Sequence, residues 1–419
     1  MRTRGFDVIV IGAGTAGMVA GAVLAELGAR VCVMAKGIGS THLAPGTIDV
    51  LGYAPERVPS PKEAIAALVE AQPHHPYALL GIEAVSDAID WFRAASREGP
   101  PGYAYTGDLE HNLLLPTAIG ALKPSAVVPA TFAAGDALGL GRLAVVGIPQ
   151  LRDFHAELCA ANLRLAGVEA TAISLELELD RADESTLGLA RRLEDAHWRA
   201  YLSARLAPLV GFADQVALPA VLGLREPGAV HADLQERLGR AVFEIPTLPP
   251  SVPGMRLFEL LDHTLRSAGG GLVVGAGVVS HRRGGDRVVS VDVASAGSNT
   301  TYTADMFLLA TGGFHSGAIT LDSRGEARDQ VLDLPLAGIP AAEAPRFTPS
   351  YLDEQPLARA GIAVDADLRA VGADNVLVAG ASLPGAVPWL EASGEGIALS
   401  SGHRAAHLLA AALGQRTAA

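Results

Sequence analysis

Apolar positions run without alternation from Val8 to Ile11, the pattern of a strand buried on both faces. Helix-period spacing follows over Met18–Leu27, Gly28 stops it, and Arg30–Ala35 forms a second apolar strand. This order predicts a parallel βαβ unit with an amphipathic crossover helix. Residues 37–52 lose all periodicity and read as a loop. Helical spacing returns over Pro61–Gln72 and Glu83–Arg97, whereas the Pro-, Gly- and Thr-rich stretch 99–136 predicts short strands and loops.

The pattern then restarts. A strand at Leu143–Ile148, a helix at Leu151–Leu165, Gly167 and a strand at Ala170–Leu177 make a second βαβ unit, extended by arginine-rich helices over 185–207 and the apolar run Gln215–Leu222. Residues 141–250 are therefore expected to form an inserted α/β unit, with 1–140 and 251–419 as two parts of one nucleotide-binding domain. The alternative is one continuous sheet. In the closing half the pattern predicts a helix at Leu257–Ala268, strands at Gly271–Ala276, Arg287–Ala294 and Tyr302–Ala310, a further segment Asn375–Ser382, and a terminal turn and helix at Gly394–Ala411.

Composition narrows the class. Of 419 residues 49% are apolar and 5% aromatic, ordinary for an α/β protein with a parallel sheet. A formal charge of -13 disfavours nucleic acid and anionic membrane surfaces. Cys32 and Cys159 lie in apolar runs and are too few for a disulfide framework or an iron–sulfur cluster, so a reducing, cytoplasmic setting is expected. The first strand begins about six residues in, which is expected to leave no room for a signal peptide. No apolar run reaches the roughly 20 residues a bilayer requires, so no direct membrane insertion is expected.

Glycines 12, 14 and 17 stand in G-x-G-x-x-G spacing at the end of the first strand. In that context Gly12 permits the tight turn, Gly14 lets a phosphate approach the backbone, and Gly17 lets the helix pack close; the helix amides then form an anion site. A dinucleotide fold usually places Asp or Glu about 20 residues further on, to hold the adenosine ribose. Here the second strand ends in Ala35 and Lys36, and Lys36 suits a phosphate better than a ribose. Two later segments resemble the rest of a flavin site: the strand ending in Ala310-Thr311-Gly312-Gly313, and Gly380-Ala381-Ser382 followed by Gly394-Glu395-Gly396 at a helix start. Their order predicts an α/β two-nucleotide-fold flavoprotein, similar to glutathione reductase and fumarate reductase, with a Rossmann-type parallel sheet and the inserted α/β unit. Gly12, Gly14, Gly17, Lys36, Thr311, Gly312, Gly380, Ser382, Gly394 and Gly396 are the candidate cofactor contacts. No cluster has metal-ligand spacing, and no Ser, His and Asp arrangement suggests acyl transfer.

Longer strings carry a family resemblance. Thr41-His-Leu-Ala-Pro-Gly-Thr-Ile-Asp-Val-Leu51, His75-Pro-Tyr-Ala-Leu-Leu-Gly81, Leu143–Ile148 with Asp153-Phe154, and Pro246-Thr-Leu-Pro-Pro-Ser-Val-Pro-Gly-Met-Arg-Leu257 resemble the B subunits of the bacterial anaerobic glycerol-3-phosphate dehydrogenases. The resemblance implies FMN as cofactor, with FAD the alternative, and FMN agrees with Ala35. It also implies a larger FAD-containing catalytic subunit and an iron–sulfur membrane-anchor subunit as partners, which would hold the chain at the inner face of the cell membrane. The activity implied is oxidation of sn-glycerol 3-phosphate to dihydroxyacetone phosphate, with electrons passed to quinone and on to fumarate or nitrate. A flavin electron-relay or structural subunit without substrate chemistry is the rival reading. By similarity to fumarate reductase flavoproteins, His42 is either a ring near the flavin edge or a loop residue bonded to backbone. Arg256 either grips a phosphate bidentately or pairs with a nearby carboxylate. These two are the candidate catalytic residues.

Overall fold

The computed structural model describes residues 3–99, 103–179, 183–295, 298–341, 343–350 and 352–417. The first elements are strand β1 (Thr3–Ile11), helix α1 (Thr15–Glu26) and strand β2 (Val31–Ala35). The strands pair in parallel with Val8 opposite Val31. The expected amphipathic character of α1 is not what the fold uses: every residue from Thr15 to Ala25 is buried. A helix apolar on all faces belongs in a layer covered on both sides. Ala16 meets Gly402 of the terminal helix on one side, and Gly21 meets Val33 and Leu265 on the other. Further on, helix α2 (Ile82–Glu98) buries Val85, Ile89 and Phe92 on one stripe.

A separate four-stranded parallel sheet comes next. It contains β3 (Leu143–Gly147), β4 (Ala170–Ser174), β5 (Gln215–Pro219) and β6 (Ala241–Ile245), in the order β6-β5-β3-β4. Leu143, Val145, Leu218 and Phe243 are among the residues of its own apolar core. The helix after β3, α3 (Ala156–Leu165), begins five residues later than the apolar pattern predicts, because residues 149–154 turn before it. Helix α4 (Pro227–Leu238) and β6 are elements the pattern missed. Only Val230, Leu234 and Leu238 mark the inner face of α4 after its opening proline.

Helix α5 (Val252–Ser267) starts before its predicted position, since Ser251 caps it by accepting from the Gly254 amide and Pro253 lies in the first turn, where no intrahelical donor is needed. Strands β7 (Gly271–Val274), β8 (Gly277–Gly284), β9 (Arg287–Ser295), β10 (Ser298–Leu309) and β11 (Val376–Val378) complete the first sheet. Its order is β7-β2-β1-β10-β9-β8, with β11 also on β10. The long β10 changes neighbours along its length. Thr300–Thr303 pairs antiparallel with β9, while Phe307–Leu309 lies parallel to β11. Because Ile11 pairs with Leu309, the turn leaving β1 lands beside the turn leaving β10. The chain closes with helix α6 (Gly394–Thr417). Both cysteines are buried and free, and burial pushes their thiols up to about 11 for Cys32 and about 12 for Cys159, which makes them unreactive.

Candidate functional site

The site is organised by the first turn of α1. Gly12 has φ +119°, and a methyl group there would sit 2.1 Å from the Ala310 carbonyl oxygen. A methyl on Gly17 would sit 1.9 Å from the Gly12 oxygen. These two glycines are required by close packing of strand, turn and helix. Gly14 differs. It is the N-cap of α1 in extended backbone, and a Cβ there would meet nothing within 4 Å. No side chain caps α1 and its first turn carries no acidic residue, so its leading amides face an open space with the positive end of the helix dipole behind them.

Four other segments reach this turn. From β10, Gly312 turns with φ +81°, and its amide donates to Ser382 Oγ at 3.0 Å while that hydroxyl donates to the Gly312 oxygen at 3.2 Å. Thr311 is half-buried beside it, its amide 3.1 Å from where a Gly12 Cβ would lie. From β11, Gly380 has φ +69°, backs onto Ala16, and donates its amide to Ser401 Oγ at 2.8 Å. Ser382 and the Gly380 amide, candidate cofactor contacts by sequence, are thus engaged in joining strand ends to each other and to α6. What they supply is the shape of the turn.

The loop after β2 closes the third side. Gly39, at φ +77°, lies against the Gly14 backbone, and a Cβ there would be 3.1 Å from the Gly14 Cα. Thr41 to Gly46 then packs onto the start of α5. A Cβ on Gly254 would lie 2.2 Å from the Thr41 oxygen, and one on Gly46 would lie 2.6 Å from Pro253. Two of the strings that carry the family resemblance therefore form one contact. His42 sits in this loop with its ring edge-on to Phe258 at 5.1 Å, and its Nε2 is buried without a partner. Burial holds its pKa below the usual imidazole value, with Glu259 opposing. Thr41 Oγ1 is buried and unpartnered as well. Lys36 is exposed at the end of β2, beside Gly277 at the start of β8.

The start of α6 is the fourth. Gly396 donates its amide to the Asp49 oxygen at 2.9 Å, and a Cβ there would lie 2.6 Å from both Tyr77 Oη and Val50 Cα. Gly396 is a close-packing glycine, and its amide is not free for a cofactor. Gly394, half-buried, heads the helix. Between them lies Glu395, half-buried. Its Oε2 is shielded from solvent and has no partner. Asp49, 8% exposed, accepts from Thr47 Oγ1 at 2.9 Å and from Lys123 Nζ. Asp49, Lys123 and Glu395 carry no sequence signal because each is a lone polar residue in an apolar or glycine-rich stretch, brought together only by the fold.

Arg256 does not belong to this group. Its Nη1 and Nη2 donate to Glu244 at 2.7 and 3.0 Å, its Nε donates to the Gly223 oxygen at 2.8 Å, and the two side chains are 1% and 0% exposed. Burial alone would lower its pKa, but the Glu244 carboxylate more than offsets this and holds the guanidinium charged. Of the two readings of Arg256, the carboxylate pair is the one the geometry takes, and it corrects the candidate catalytic role: the fork that would take a phosphate already holds Glu244. Among the described residues no group of three or more His, Cys, Asp or Glu is placed to hold a metal, and no helix is long and apolar enough to cross a membrane.

An uncapped helix start, open space beside Gly14, and orphaned buried atoms on Thr41, His42 and Glu395 fit a phosphate-bearing, polar-edged ring system. Residues 7–381 match a family model described as FAD binding domain. Fold and site together define a flavin-binding α/β oxidoreductase. Curated relatives sharpen this. The chain is 32% identical to the B subunit of a probable anaerobic glycerol-3-phosphate dehydrogenase from Halobacterium salinarum, over 97% of this chain and 98% of the relative. It is 31% identical to the anaerobic glycerol-3-phosphate dehydrogenase B subunit of Yersinia enterocolitica, over 94% and 96%. The chain belongs to the family of anaerobic glycerol-3-phosphate dehydrogenase B subunits. Among solved structures, E. coli quinol fumarate reductase is similar with a TM-score of 0.48 at 10% identity, covering 99% of this chain and 72% of that one. A 3-ketosteroid delta1-dehydrogenase from Sterolibacterium denitrificans is similar with a TM-score of 0.47 at 12% identity, covering 97% and 100%.

Proposed function

We propose that this chain is the flavin-carrying B subunit of an anaerobic sn-glycerol-3-phosphate dehydrogenase complex, in which glycerol 3-phosphate becomes dihydroxyacetone phosphate and electrons pass to quinone and on to fumarate or nitrate. The observation that carries it is the convergence of four segments on the uncapped start of α1, in a chain of this family. Residues 1–140 and 251–419 build that flavin site, with 141–250 as an inserted α/β unit. Gly14 and the leading amides of α1 would hold the flavin phosphate, and Thr41, His42 and Glu395 would face the rest of the cofactor. When bound, the flavin supplies hydride and electron transfer; the chain supplies orientation, close packing and a fixed field. The relatives' name supports a multi-subunit assembly, whose other members are a larger FAD-containing catalytic subunit and an iron–sulfur anchor holding this chain at the inner face of the cell membrane.

The family description supports FAD as the cofactor. FMN is the second reading, favoured by Ala35, which offers the adenosine ribose no side-chain acceptor at the end of β2. Acid release of the flavin followed by mass measurement distinguishes the two. In the FMN reading, Ala35→Glu leaves the FAD-to-FMN preference within about tenfold, which is 1.4 kcal/mol, because adjacent Lys36 captures the new carboxylate. A larger move toward FAD in competition binding removes that reading.

Whether this chain dehydrogenates the substrate itself is tested by adding glycerol 3-phosphate to the purified yellow protein. Loss of the flavin band near about 450 nm without any partner supports substrate chemistry here. Bleaching only after the larger partner is added supports an electron relay, a reading favoured by Arg256 being closed off by Glu244. A chain that takes up no flavin under any condition sinks both.

A further inference from the structure

We propose that His75 is a positioning residue: through Glu391 it fixes the start of α6 against the flavin, and so sets how strongly the chain prefers the reduced cofactor over the oxidised one. The inference rests on the flavin reading above, in which the start of α6 is one wall of the site. It gives a role to His75-Pro-Tyr-Ala-Leu-Leu-Gly81, a string of the family resemblance that packs behind that wall, with Tyr77 Oη against Gly396 and Val50. His75 is fully buried and precedes the short helix Pro76–Leu80, where its Nδ1 accepts from the Tyr77 amide at 3.1 Å. A ring nitrogen that accepts carries no proton, so Nε2 is the protonated one. That nitrogen donates to Glu391 Oε2, 3.2 Å away.

The other groups that Glu391 holds all belong to the approach to α6. Its Oε2 also accepts from Ser393 Oγ at 2.8 Å, and its Oε1 accepts from the Val387 amide at 2.8 Å. Its backbone oxygen accepts from the amides of Gly52 and Tyr53 at 2.8 and 3.0 Å, at the end of the loop that carries His42. One residue therefore joins that loop to the turn leading into α6. Between Glu391 and Ser393 the chain passes through Ala392 at φ +49° and ψ +59°, a left-handed conformation that a residue with a Cβ keeps only where its surroundings over-determine it. Ser393, fully buried, then accepts the Ile397 amide at 2.9 Å on its backbone oxygen, at the first turn of α6. Burial would push the Glu391 carboxyl up, but the bonds from His75, Val387 and Ser393 outweigh it and hold it below the usual carboxylate range. Loss of the His75 bond leaves this buried carboxylate short of a donor, and the turn it braces is free to leave its left-handed geometry. Leading helix amides favour negative charge in front of them, so a displaced α6 start weakens the hold on reduced flavin more than on oxidised flavin.

The test compares two replacements in the flavin-loaded full chain, each keeping one of the two ring bonds. Asparagine places its amide oxygen near the position of Nδ1, so H75N still accepts from Tyr77 but does not reach Glu391. Glutamine places its amide nitrogen near the position of Nε2, so H75Q still donates to Glu391 but does not accept from Tyr77. The flavin midpoint potential is measured by spectroscopic titration against redox dyes, beside urea unfolding of the same preparations. Expected in H75N is a fall of about tenfold in the ratio of reduced- to oxidised-flavin affinity, which is about 30 mV for a two-electron couple, while H75Q stays within about threefold of the parent. The reverse order would mean that His75 serves only the short helix, and overturns the inference; equal shifts in both variants, or none in either, overturn it too. Should H75N not fold, S393A cuts the link between the carboxylate and α6 from the other side. A lowered potential in S393A then supports the inference, and an unchanged one overturns it. A parent chain that binds no flavin is instead the failure of the flavin reading itself.

Discussion

Arg256→Ala is expected to destabilise the folded chain by about 3–5 kcal/mol while leaving flavin affinity nearly unchanged. The guanidinium joins α5 to β6 and to the Gly223 turn, which fixes the separate four-stranded sheet onto the first one. Removing it leaves the Glu244 carboxylate buried with, among the described residues, the Leu222 amide at 2.8 Å as its one donor. An uncompensated buried charge is what makes loss of one partner so much worse than loss of both. The double variant Arg256→Met with Glu244→Leu therefore recovers part of the loss. It does not recover all of it, since the Leu222 amide and the Gly223 carbonyl each lose a partner, at about 1–3 kcal/mol apiece. Urea unfolding of the parent, the single and the double variants checks this order. A single variant as stable as the parent would show that the ion pair is not what secures the two sheets.

The same residue shows where the sequence stops being informative. A phosphate grip and a carboxylate partner make identical demands on an arginine at a helix start, and Glu244, twelve positions earlier on strand β6, decides between them. The parallel sheet was legible because Val8–Ile11 and Val31–Ala35 are apolar without interruption, and that pattern has few other causes. The neighbour of β1 was legible for the same reason, in the apolar end of β10. Strand β8 was not: Ser280, His281, Arg282 and Arg283 carry no apolar pattern, and they pair antiparallel with β9. The glycines divide in the same way. Spacing identified Gly12, Gly14 and Gly17 together and gave the turn and the close packing to Gly12 and Gly17, where a side chain would collide with backbone. Gly396 looked like a cofactor contact, yet Tyr77 and Val50, distant in sequence, are what forbid it a side chain.

Gly14→Val is expected to weaken flavin binding by on the order of a hundredfold or more without a comparable loss of stability, and this separation of effects is what identifies a ligand site. At Gly12 or Gly17 a side chain would collide with backbone at 2.1 and 1.9 Å, so loss of flavin there would be indistinguishable from loss of the fold. Gly14 carries no such constraint. Its φ of -76° and ψ of 178° are extended backbone that valine adopts readily, and no protein atom outside the local chain lies within 4 Å of the new Cβ. The fold itself thus gives no reason for a glycine here; close approach of a ligand does. A branched side chain in that space would keep the phosphate from the leading amides of α1, removing charge-assisted bonds of about 1.5–3 kcal/mol each. Loss of two of them amounts to roughly a hundredfold or more in dissociation constant. Flavin titration followed by fluorescence, beside urea unfolding of the same preparations, measures both sides. Unchanged flavin affinity in a folded variant would move the phosphate away from this turn. Equal loss of affinity and stability would return Gly14 to the same structural role as its two neighbours.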